Sequence, residues 1–240
     1  MNITQNFSPN HNIGRKGQLP DMIACHITEG SFSGTISWIN NRSSHVSYHY
    51  VVARDGQIVQ AVDIINTAWS NGTTSGVANN SNRHSRIDVV RQRNINANLY
   101  TISIGFEGRL SEKQGNLSTA QLIAAVNLIS HIRSEVKRIF GKEIALNRES
   151  IVGHRDITPL WKPNCPGPEF PFEEIIRQLK EINMEAQEDD ETMRFDISGD
   201  IYYIPAFIRN DRTYVQARLL LEAMGYNVEW DSTLRTVVVR

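Results

Sequence analysis

The sequence predicts an α/β protein in which a mixed central β-sheet is flanked by helices, with a small α+β module at the C-terminus. Three observations support this prediction: short apolar runs with the composition of strands, a turn dipeptide between two such runs, and one long segment with apolar residues at helical spacing. The chain has 240 residues, of which 40% are hydrophobic and 21% charged. We therefore expect an ordinary globular protein with a sizeable core.

The strands of the predicted sheet lie in the first half of the chain. Residues 22–27, MIACHI, form a short apolar run, and residues 101–108, TISIGFEG, alternate like a second strand. Between them, HVSYHYVVARDGQIVQAVD contains two strand-like runs joined at Asp55-Gly56. This dipeptide favours the tight turn of a hairpin, so we expect the two runs to pair.

A long helix is predicted over residues 118–141. Ser118 and Gln121 have the spacing of a capping box, and Gly141 is a typical helix stop. A second helix is predicted from Phe172 to Ile182. The apolar residues of the long helix recur at helical spacing and predict a face buried in the core: Leu122, Ile123, Val126, Ile129, Ile132, Val136 and Ile139.

Composition divides the chain into three parts. Residues 183–195 are acidic and have no apolar period, so we expect a solvated linker between a larger domain of residues 1–182 and a small module of residues 196–240. The net charge is positive before this linker and negative after it. In the module the predicted elements are a strand, a turn at Asn210-Asp211, a strand, a helix over about 216–224, a stop at Gly225 and a hairpin around Asp231-Ser232.

Residues 70–98 are rich in Asn, Ser and Gly and show no period. A loop of this length is uncommon in a compact domain and is often functional. The alternative is an insertion that the fold merely tolerates.

Three features that the sequence lacks bear on where the protein acts and on its partners: a membrane helix, a secretory signal and a strong net charge. No apolar run approaches the roughly 18 residues of a membrane helix, so we expect no membrane insertion. The N-terminus, MNITQNFSPN, lacks the features of a secretory signal, so we expect synthesis in the cytoplasm without a signal peptide. An extracellular substrate would then be reached by another route. A net charge of −1 does not predict a nucleic-acid partner.

One of the two cysteines, Cys165, lies in the Pro-rich segment VGHRDITPLWKPNCPGPEF. From the residues alone it has four interpretations: a buried hydrophobe, half of a disulfide with Cys25, a nucleophile paired with His154, or a metal ligand. A cytoplasmic thiol is normally kept reduced, which disfavours the disulfide.

A second histidine favours the metal interpretation. His26 lies near the end of the apolar run MIACHI, and catalytic groups gather at strand ends in α/β domains. Two histidines and one cysteine from different segments are the ligand set of a catalytic zinc site, since imidazole and thiolate both suit this borderline-soft ion. A structural histidine at a strand end remains the alternative.

Four segments carry a resemblance to a known family. SYHYVVARDGQIVQAV, TAW, SIGFEG and VGHRD followed by CPG occur here in that order. Together they resemble the type 2 N-acetylmuramoyl-L-alanine amidases, a zinc family that includes bacteriophage lysins and relatives of the animal peptidoglycan-recognition proteins. The resemblance covers most of residues 20–180.

The resemblance implies both an activity and a ligand set. His26, His154 and Cys165 would bind Zn²⁺, and the protein would hydrolyse the amide bond between the muramic acid lactyl group and L-alanine of peptidoglycan. It would act as a prophage or phage endolysin, after release to the cell wall. Relatives that only recognise peptidoglycan commonly lack the cysteine ligand, so a non-hydrolytic module is the alternative. A hydrolase with Cys165 as nucleophile is another.

Three catalytic candidates follow from the same resemblance. Glu107 matches an acidic position of the SIGFEG strand and would act as general base or electrostatic stabiliser; the alternative is a carboxylate paired with Arg109 or Arg155. Tyr48 would assist the attacking water or hold the carbonyl; the alternative is a half-buried hairpin aromatic. Lys162 lies three residues before Cys165, where relatives place a lysine two before, so its alternative is a solvated loop cation.

Four neighbours of these residues are expected to play lesser roles. His49 and Cys25 should be structural, because they alternate to the opposite face from Tyr48 and His26. Ser70 stands where relatives often have a histidine, which puts a role in substrate binding in doubt. Asp156 either orients a ligand or pairs with Arg155.

The end of the chain, RTYVQARLLLEAMGYNVEWDSTLRTVVV, resembles the small N-terminal domain of copper amine oxidases, which is also appended to bacterial surface proteins. Nothing in it resembles a copper site. We expect a module for wall attachment or for self-association as a homodimer.

Overall fold

The computed structural model describes residues 2–72, 82–93, 95–188, 192–197, 200–209, 212–215, 220–222, 224–231 and 236–239. The chain forms two compact units, Met1–Leu179 and Lys180–Arg240. In the described residues no helix has the length and apolarity needed to cross a membrane.

Eight strands lie in the described part of the first unit: β1 (Ile3–Gln5), β2 (His11–Asn12), β3 (Met22–Ile27), β4 (Tyr50–Val52), β5 (Ile58–Gln60), β6 (Thr67–Ala68), β7 (Thr101–Phe106) and β8 (Ile151–Gly153). Six of them form one sheet in the order β1-β5-β4-β7-β3-β8, and β2 pairs with β6 separately. The strands β4, β7, β3 and β8 run parallel, whereas β4 and β5 form the antiparallel hairpin predicted at Asp55-Gly56. The mixed sheet is therefore confirmed.

The helices are α1 (Phe32–Asn40), α2 (Asp88–Arg93), α3 (Leu110–Lys113), α4 (Thr119–Phe140), α5 (His154–Ile157) and α6 (Phe172–Glu188). The prediction of an unbroken loop over residues 70–98 is wrong in part, because α2 and a 3-10 turn at Ala97–Leu99 lie within it. Residues 73–81 and 94 of this stretch lie outside the described residues.

The long helix α4 begins and ends where the sequence predicts. The Ser118 hydroxyl accepts the Gln121 N–H at 3.0 Å, the Gln121 carboxamide accepts the Ser118 N–H at 3.1 Å, and Gly141 adopts a left-handed φ of 63°. The predicted buried face is only partly correct, since Ile123 is 56% and Ile139 is 38% exposed. The stripe that contacts the sheet is instead centred on the small residues Ala124 and Ala125 and on Leu128, Ile132 and Val136, which allow close packing.

Alternation along β3 decides what each face of the sheet carries. Ile23, Cys25 and Ile27 belong to the larger core cluster, which includes the buried face of α4. Ala24 belongs to a second cluster on the other face, and His26 follows it in alternation. The sheet is therefore covered by helices on both faces, and His26 is directed away from the core that contains Cys25.

In the second unit, the described residues form five strands: β9 (Thr192–Ile197), β10 (Asp200–Arg209), β11 (Arg212–Val215), β12 (Val228–Asp231) and β13 (Thr236–Val239). They form an antiparallel sheet in the order β11-β10-β9 and a β12-β13 pair. Residues 220–222 are helical, as predicted, but residues 216–219 and 223 lie outside the described residues. So do the predicted turn residues Asn210, Asp211 and Ser232. The predicted end of the second helix at Ile182 is wrong, because α6 continues to Glu188, six residues into the predicted linker of 183–195. The rest of that linker comprises residues 189–191, which lie outside the described residues, and the start of β9.

Candidate metal centre and catalytic cleft

His26 lies at the end of β3, where it is 1% exposed and pairs in register with Gly105 of β7. A Cβ atom at Gly105 would lie 2.9 Å from the ring of Tyr48 and 3.1 Å from the methyl group of Thr28. Because Gly105 has no side chain, the Tyr48 ring can approach the imidazole of His26, with 5.2 Å between ring centroids. The glycine of SIGFEG thus makes room for the site.

His154 is the first residue of α5, directly after β8. The carboxylate of Asp156 accepts the N–H of Gly153 at 2.8 Å and a hydrogen bond from Arg148 at 3.0 Å. Asp156 therefore fixes the start of the helix that carries His154, and among the described residues its ion pairs are with Arg148 and Arg86 rather than Arg155. The expectation that it pairs with Arg155 is wrong, because the Gly153 turn brings it to Arg148 instead.

Cys165 lies in the loop between α5 and α6, and its carbonyl accepts the N–H of Arg155 at 2.7 Å. Both cysteines are free, so the disulfide interpretation is excluded. Cys25 is fully buried in the core on the opposite face, as alternation predicts.

The three predicted ligands meet. One ligand atom each from His26, His154 and Cys165 lies within 4.8 Å of the others, and the two Nδ1 atoms are 3.1 Å apart. A tetrahedral zinc ion with bonds of about 2.0–2.1 Å to nitrogen and about 2.3 Å to sulfur requires donors roughly 3.3–3.7 Å apart. The spacing of this cluster is close to that requirement.

The protonation of the three groups also suits a cation. Burial, the neighbouring His154 and Lys162 hold the pKa of His26 well below its usual range. Burial lowers the pKa of His154 to about 4, although the nearby Asn71 carbonyl opposes the shift. Both rings are therefore neutral at pH 7 and present lone pairs. Burial raises the pKa of the Cys165 thiol to about 11, so a bound cation is what would stabilise its thiolate.

The outward ring nitrogens of both histidines are buried. In the described part of the chain, neither Nε2 atom has a hydrogen-bond partner of good geometry. The Asn71 carbonyl lies close enough to His154 to raise its pKa, but it does not meet the geometric criteria of a hydrogen bond. One proton shared between the two Nδ1 atoms would leave the Cys165 thiol without a role. The donor set of two imidazoles and one thiol fits a metal ion held by all three residues.

The cluster opens into a cleft of about 640 Å³. Tyr48 and Lys162 line this cleft together with the three ligands, so the structure brings together five of the six predicted site residues. Burial, and to a lesser degree Cys165, raise the pKa of Tyr48, whose phenol is therefore protonated at neutral pH. The Lys162 ammonium is exposed, yet close enough to lower the pKa values of His26, His154 and Cys165.

Glu107 is the predicted residue that the structure does not bring to the cleft. Its two carboxylate oxygens accept the N–H of Phe32 at 2.9 Å and the N–H of Arg54 at 2.7 Å. It borders a separate small cavity of about 60 Å³. No ion pair among the described residues joins it to Arg109 or Arg155. In this position Glu107 anchors the first turn of α1 to the β4–β5 turn.

Sequence reasoning missed three residues of the cleft. Glu29 lines it with a left-handed φ of 58°, and its carboxylate accepts the N–H of Leu110 at 3.2 Å. Trp38 and Trp161 also line it and are 55% and 62% exposed. The sequence held one usable signal, since Trp161 directly precedes Lys162 in a polar, Pro-rich loop where a core aromatic is not expected.

The roles expected of two neighbours can be checked directly. His49 is 1% exposed and bonds Arg15 at 2.9 Å and the Ser103 hydroxyl at 3.0 Å, so its structural role is as predicted. Ser70 lines the cleft, but its N–H and hydroxyl both donate to the carboxamide oxygen of Asn98 at 3.3 Å. Ser70 therefore holds the wall of the cleft in place.

Comparison with known proteins adds to this geometry. Residues 16–168 match the family model described as N-acetylmuramoyl-L-alanine amidase, and residues 187–240 match that of the copper amine oxidase N-terminal domain. N-acetylmuramoyl-L-alanine amidase A of Achromobacter lyticus is 34% identical over 111 residues, which are 46% of this chain and 49% of that protein. The chain thus spans about half the length of the curated relative that it matches.

Solved structures share the fold. A selenomethionine derivative of AmpD has a TM-score of 0.50 at 21% identity, covering 74% of this chain and 93% of that one. LysC, an N-acetylmuramoyl-L-alanine amidase from Clostridium intestinale URNW, has a TM-score of 0.51 at 20% identity, covering 75% and 98%. The family match spans His26, His154 and Cys165 and more than half of the chain, and the chain therefore belongs to the N-acetylmuramoyl-L-alanine amidase family.

Proposed function

We propose that this protein is a zinc-dependent N-acetylmuramoyl-L-alanine amidase, which cleaves the amide bond between the lactyl group of muramic acid and L-alanine in peptidoglycan. The observation that carries the proposal is the convergence of His26, His154 and Cys165 at the base of a cleft that Tyr48 and Lys162 also line. As a bacteriolytic endolysin of phage or prophage type, it would act on the cell wall after release from the cytoplasm.

The residues of the cluster would hold the metal through two neutral imidazoles and one thiolate. When bound, zinc would supply a Lewis acid that polarises the scissile carbonyl and lowers the pKa of water. The backbone of β3 and the Asp156-capped start of α5 hold the two histidines, so little rearrangement is needed on binding.

Tyr48 and Lys162 would act on the substrate carbonyl. The raised pKa of Tyr48 keeps its O–H available as a hydrogen-bond donor beside His26. Lys162 places a positive charge at the cleft, where it would stabilise the negative charge that develops on the carbonyl oxygen. Donors fixed in advance around a developing charge are the largest single contribution in many hydrolases.

Two carboxylates are available to accept the proton of the attacking water. Resemblance assigns this task to Glu107, whereas position in the cleft favours Glu29. Both oxygens of Glu107 already accept backbone N–H groups, which gives this carboxylate an anchoring role. We therefore assign proton acceptance to Glu29, and to Glu107 the positioning of α1, which contributes Trp38 to the cleft.

The test is digestion of purified cell walls with and without a chelator, followed by mass analysis of the soluble fragments. An amidase releases peptides with a new N-terminal L-alanine and leaves the glycan intact, and the chelator abolishes release. Binding to walls without new N-termini would show a recognition module instead. Activity that survives chelation but is lost on alkylation would show a Cys165 nucleophile.

A further inference from the structure

The loop that carries Cys165 is held on one side by the segment that carries His154. The Cys165 carbonyl accepts the Arg155 N–H at 2.7 Å, so the two ligand segments share a backbone hydrogen bond. A Cβ atom at Gly153 would lie 2.6 Å from Cδ of Pro166, which shows how closely Pro166 packs against the start of α5. All four residues on this side belong to the motifs VGHRD and CPG.

The other side of the loop is held by a turn outside every motif. We call Gln114 and Gly115, which follow α3, the glycine seat. A Cβ atom at Gly115 would lie 2.1 Å from the carbonyl oxygen of Pro166 and 2.9 Å from Cα of Gly167. In return, a Cβ atom at Gly167 would lie 2.0 Å from the carbonyl oxygen of Gln114. Two buried glycine backbones are thus in direct contact.

Two further observations show that this contact is specific. The N–H of Glu169 donates to the carbonyl of Gln114 at 3.1 Å, so the loop is bonded to the seat as well as packed on it. Gly115 and Gly167 have φ values of 93° and 120°, a region that favours glycine. Residue 115 therefore requires glycine for two reasons: its positive φ, and its close contact with Pro166 and Gly167.

We propose that Gly115 is a positioning residue for the third metal ligand, acting through Pro166 and Gly167 on the place of the Cys165 thiol. The inference rests on the proposed zinc function. Any side chain at residue 115 must separate the glycine seat from the backbone next to Cys165 by about an ångström, because no L-residue can hold a Cβ atom 2.1 Å from a carbonyl oxygen. The loop of Cys165 then loses its packing on this side. Ligand distances in a metal site tolerate only about 0.2 Å.

The experiment compares Gly115→Ala with Gly141→Ala in the full chain. Gly141 is a matched control, since it also has a left-handed φ, of 63°, but its Cβ atom would meet nothing within 4 Å. Zinc affinity is measured by competition with a chromophoric chelator. We expect Gly115→Ala to weaken zinc binding by about 10–100-fold, the range typical of changes behind metal ligands. Gly141→Ala is expected to bind zinc as the wild type does.

The two cysteines provide a second readout that separates local from global effects. Cys25 is 0% exposed in the core and reports unfolding, whereas Cys165 reports the loop. In zinc-loaded Gly115→Ala we expect site-resolved alkylation to modify Cys165 and spare Cys25. In cobalt-substituted protein, the thiolate-to-metal charge-transfer band of the variant should weaken, a signature that a purely structural role would not change.

Three outcomes would overturn the proposal. Zinc affinity within twofold of the wild type, with Cys165 protected, would show that the loop does not depend on the seat. Modification of both cysteines would show that Gly115 supports the fold rather than the ligand. Equal losses of zinc affinity in Gly115→Ala and Gly141→Ala would show that the strain of a positive φ, and not the contact with the loop, causes the loss. If the wild type binds no zinc, the proposed function fails. The glycine seat can still be tested then, by comparing alkylation of Cys165 and Cys25 in the metal-free wild type and the metal-free Gly115→Ala protein.

Discussion

The two histidine ligands and the cysteine ligand reach the same point by different kinds of structure. His26 is the penultimate residue of β3 and His154 directly follows β8. These two strands are parallel neighbours whose carboxyl ends meet at one edge of the sheet. Cys165 lies in an irregular loop, and its place depends on contacts with Arg155 and with the turn at Gly115. The first two ligands are placed by the sheet, and the third by packing between segments distant in sequence.

This difference teaches where a substitution can act on the site. The strands that carry the histidines are held by ladder hydrogen bonds, β3 to both β7 and β8 and β8 to β3. We therefore expect a substitution of either histidine to change the ligand with little movement of the backbone. A loop ligand can be displaced from a distance. We therefore expect a ligand substitution to remove zinc binding and wall lysis together, and a substitution in the glycine seat to weaken zinc binding in part.

The largest effect is expected for Cys165→Ser. A hydroxyl is a far poorer zinc ligand than a thiolate at neutral pH, so zinc content and wall lysis should fall together, the latter to the background of the assay. Metal analysis and turbidity of cell-wall suspensions measure the two. The control is Cys25→Ala, which faces the core and should keep both zinc and lysis. A Cys165→Ser protein that retains metal and activity would disprove the three-ligand site.

The sequence predicted that His26, His154 and Cys165 would lie together, because they belong to short segments with local signals. His26 is the penultimate residue of the run MIACHI, and VGHRD and CPG are compact motifs. It placed Glu107 less well, since the engagement of its carboxylate depends on Phe32 and Arg54, residues 75 and 53 positions away in the chain. Glu29 carried no local signal, because its left-handed backbone and its contact with Leu110 arise only in the folded chain.

The second-largest effect distinguishes the two carboxylates. Glu29→Gln should lower the rate of wall hydrolysis by about 10²–10⁴, the usual contribution of acid–base assistance, with zinc and stability unchanged. Glu107→Gln should instead lower the free energy of unfolding by about 1–3 kcal/mol, because its new NH₂ group faces a backbone N–H. Rates, zinc content and urea denaturation are measured for both. A rate loss of that size in Glu107→Gln at unchanged stability would restore Glu107 as the general base.

A third effect concerns the metal-free protein in acid. The folded-state pKa of His154, about 4, lies below the ordinary 6.5, so the unfolded chain binds the proton more readily. The stability that comes from keeping this ring neutral is present above pH 6.5 and is lost as the pH falls towards 4. The lowered pKa values of His26 and His49 act in the same direction.

For His154 alone this loss amounts to about 3 kcal/mol, at 1.36 kcal/mol per pKa unit. Urea denaturation of the chelated protein between pH 7.5 and about pH 4 measures it. His154→Gln should show a shallower dependence by roughly that amount. An identical pH slope in the variant would mean that the His154 ring is not buried as a neutral group.

The smallest effect on chemistry is expected from removal of the second unit. Residues 187–240 match a domain model separate from that of the amidase, and within the part of this unit that the structure describes β13 pairs with β12 alone. An exposed strand edge invites pairing with another chain, and the sequence of 196–240 is rich in apolar residues for so short a module. We therefore predict self-association as a homodimer, which would bring two catalytic domains to one insoluble polymer.

Cleavage within 185–194 should leave the rate of hydrolysis of soluble muropeptides within about twofold of that of the full chain. It should also convert a dimer to a monomer, as measured by light scattering. If the full chain is already monomeric and residues 1–184 lose wall binding in a pull-down, the module is a wall anchor. Its net negative charge would then favour recognition of sugar or peptide over attraction to anionic wall polymers.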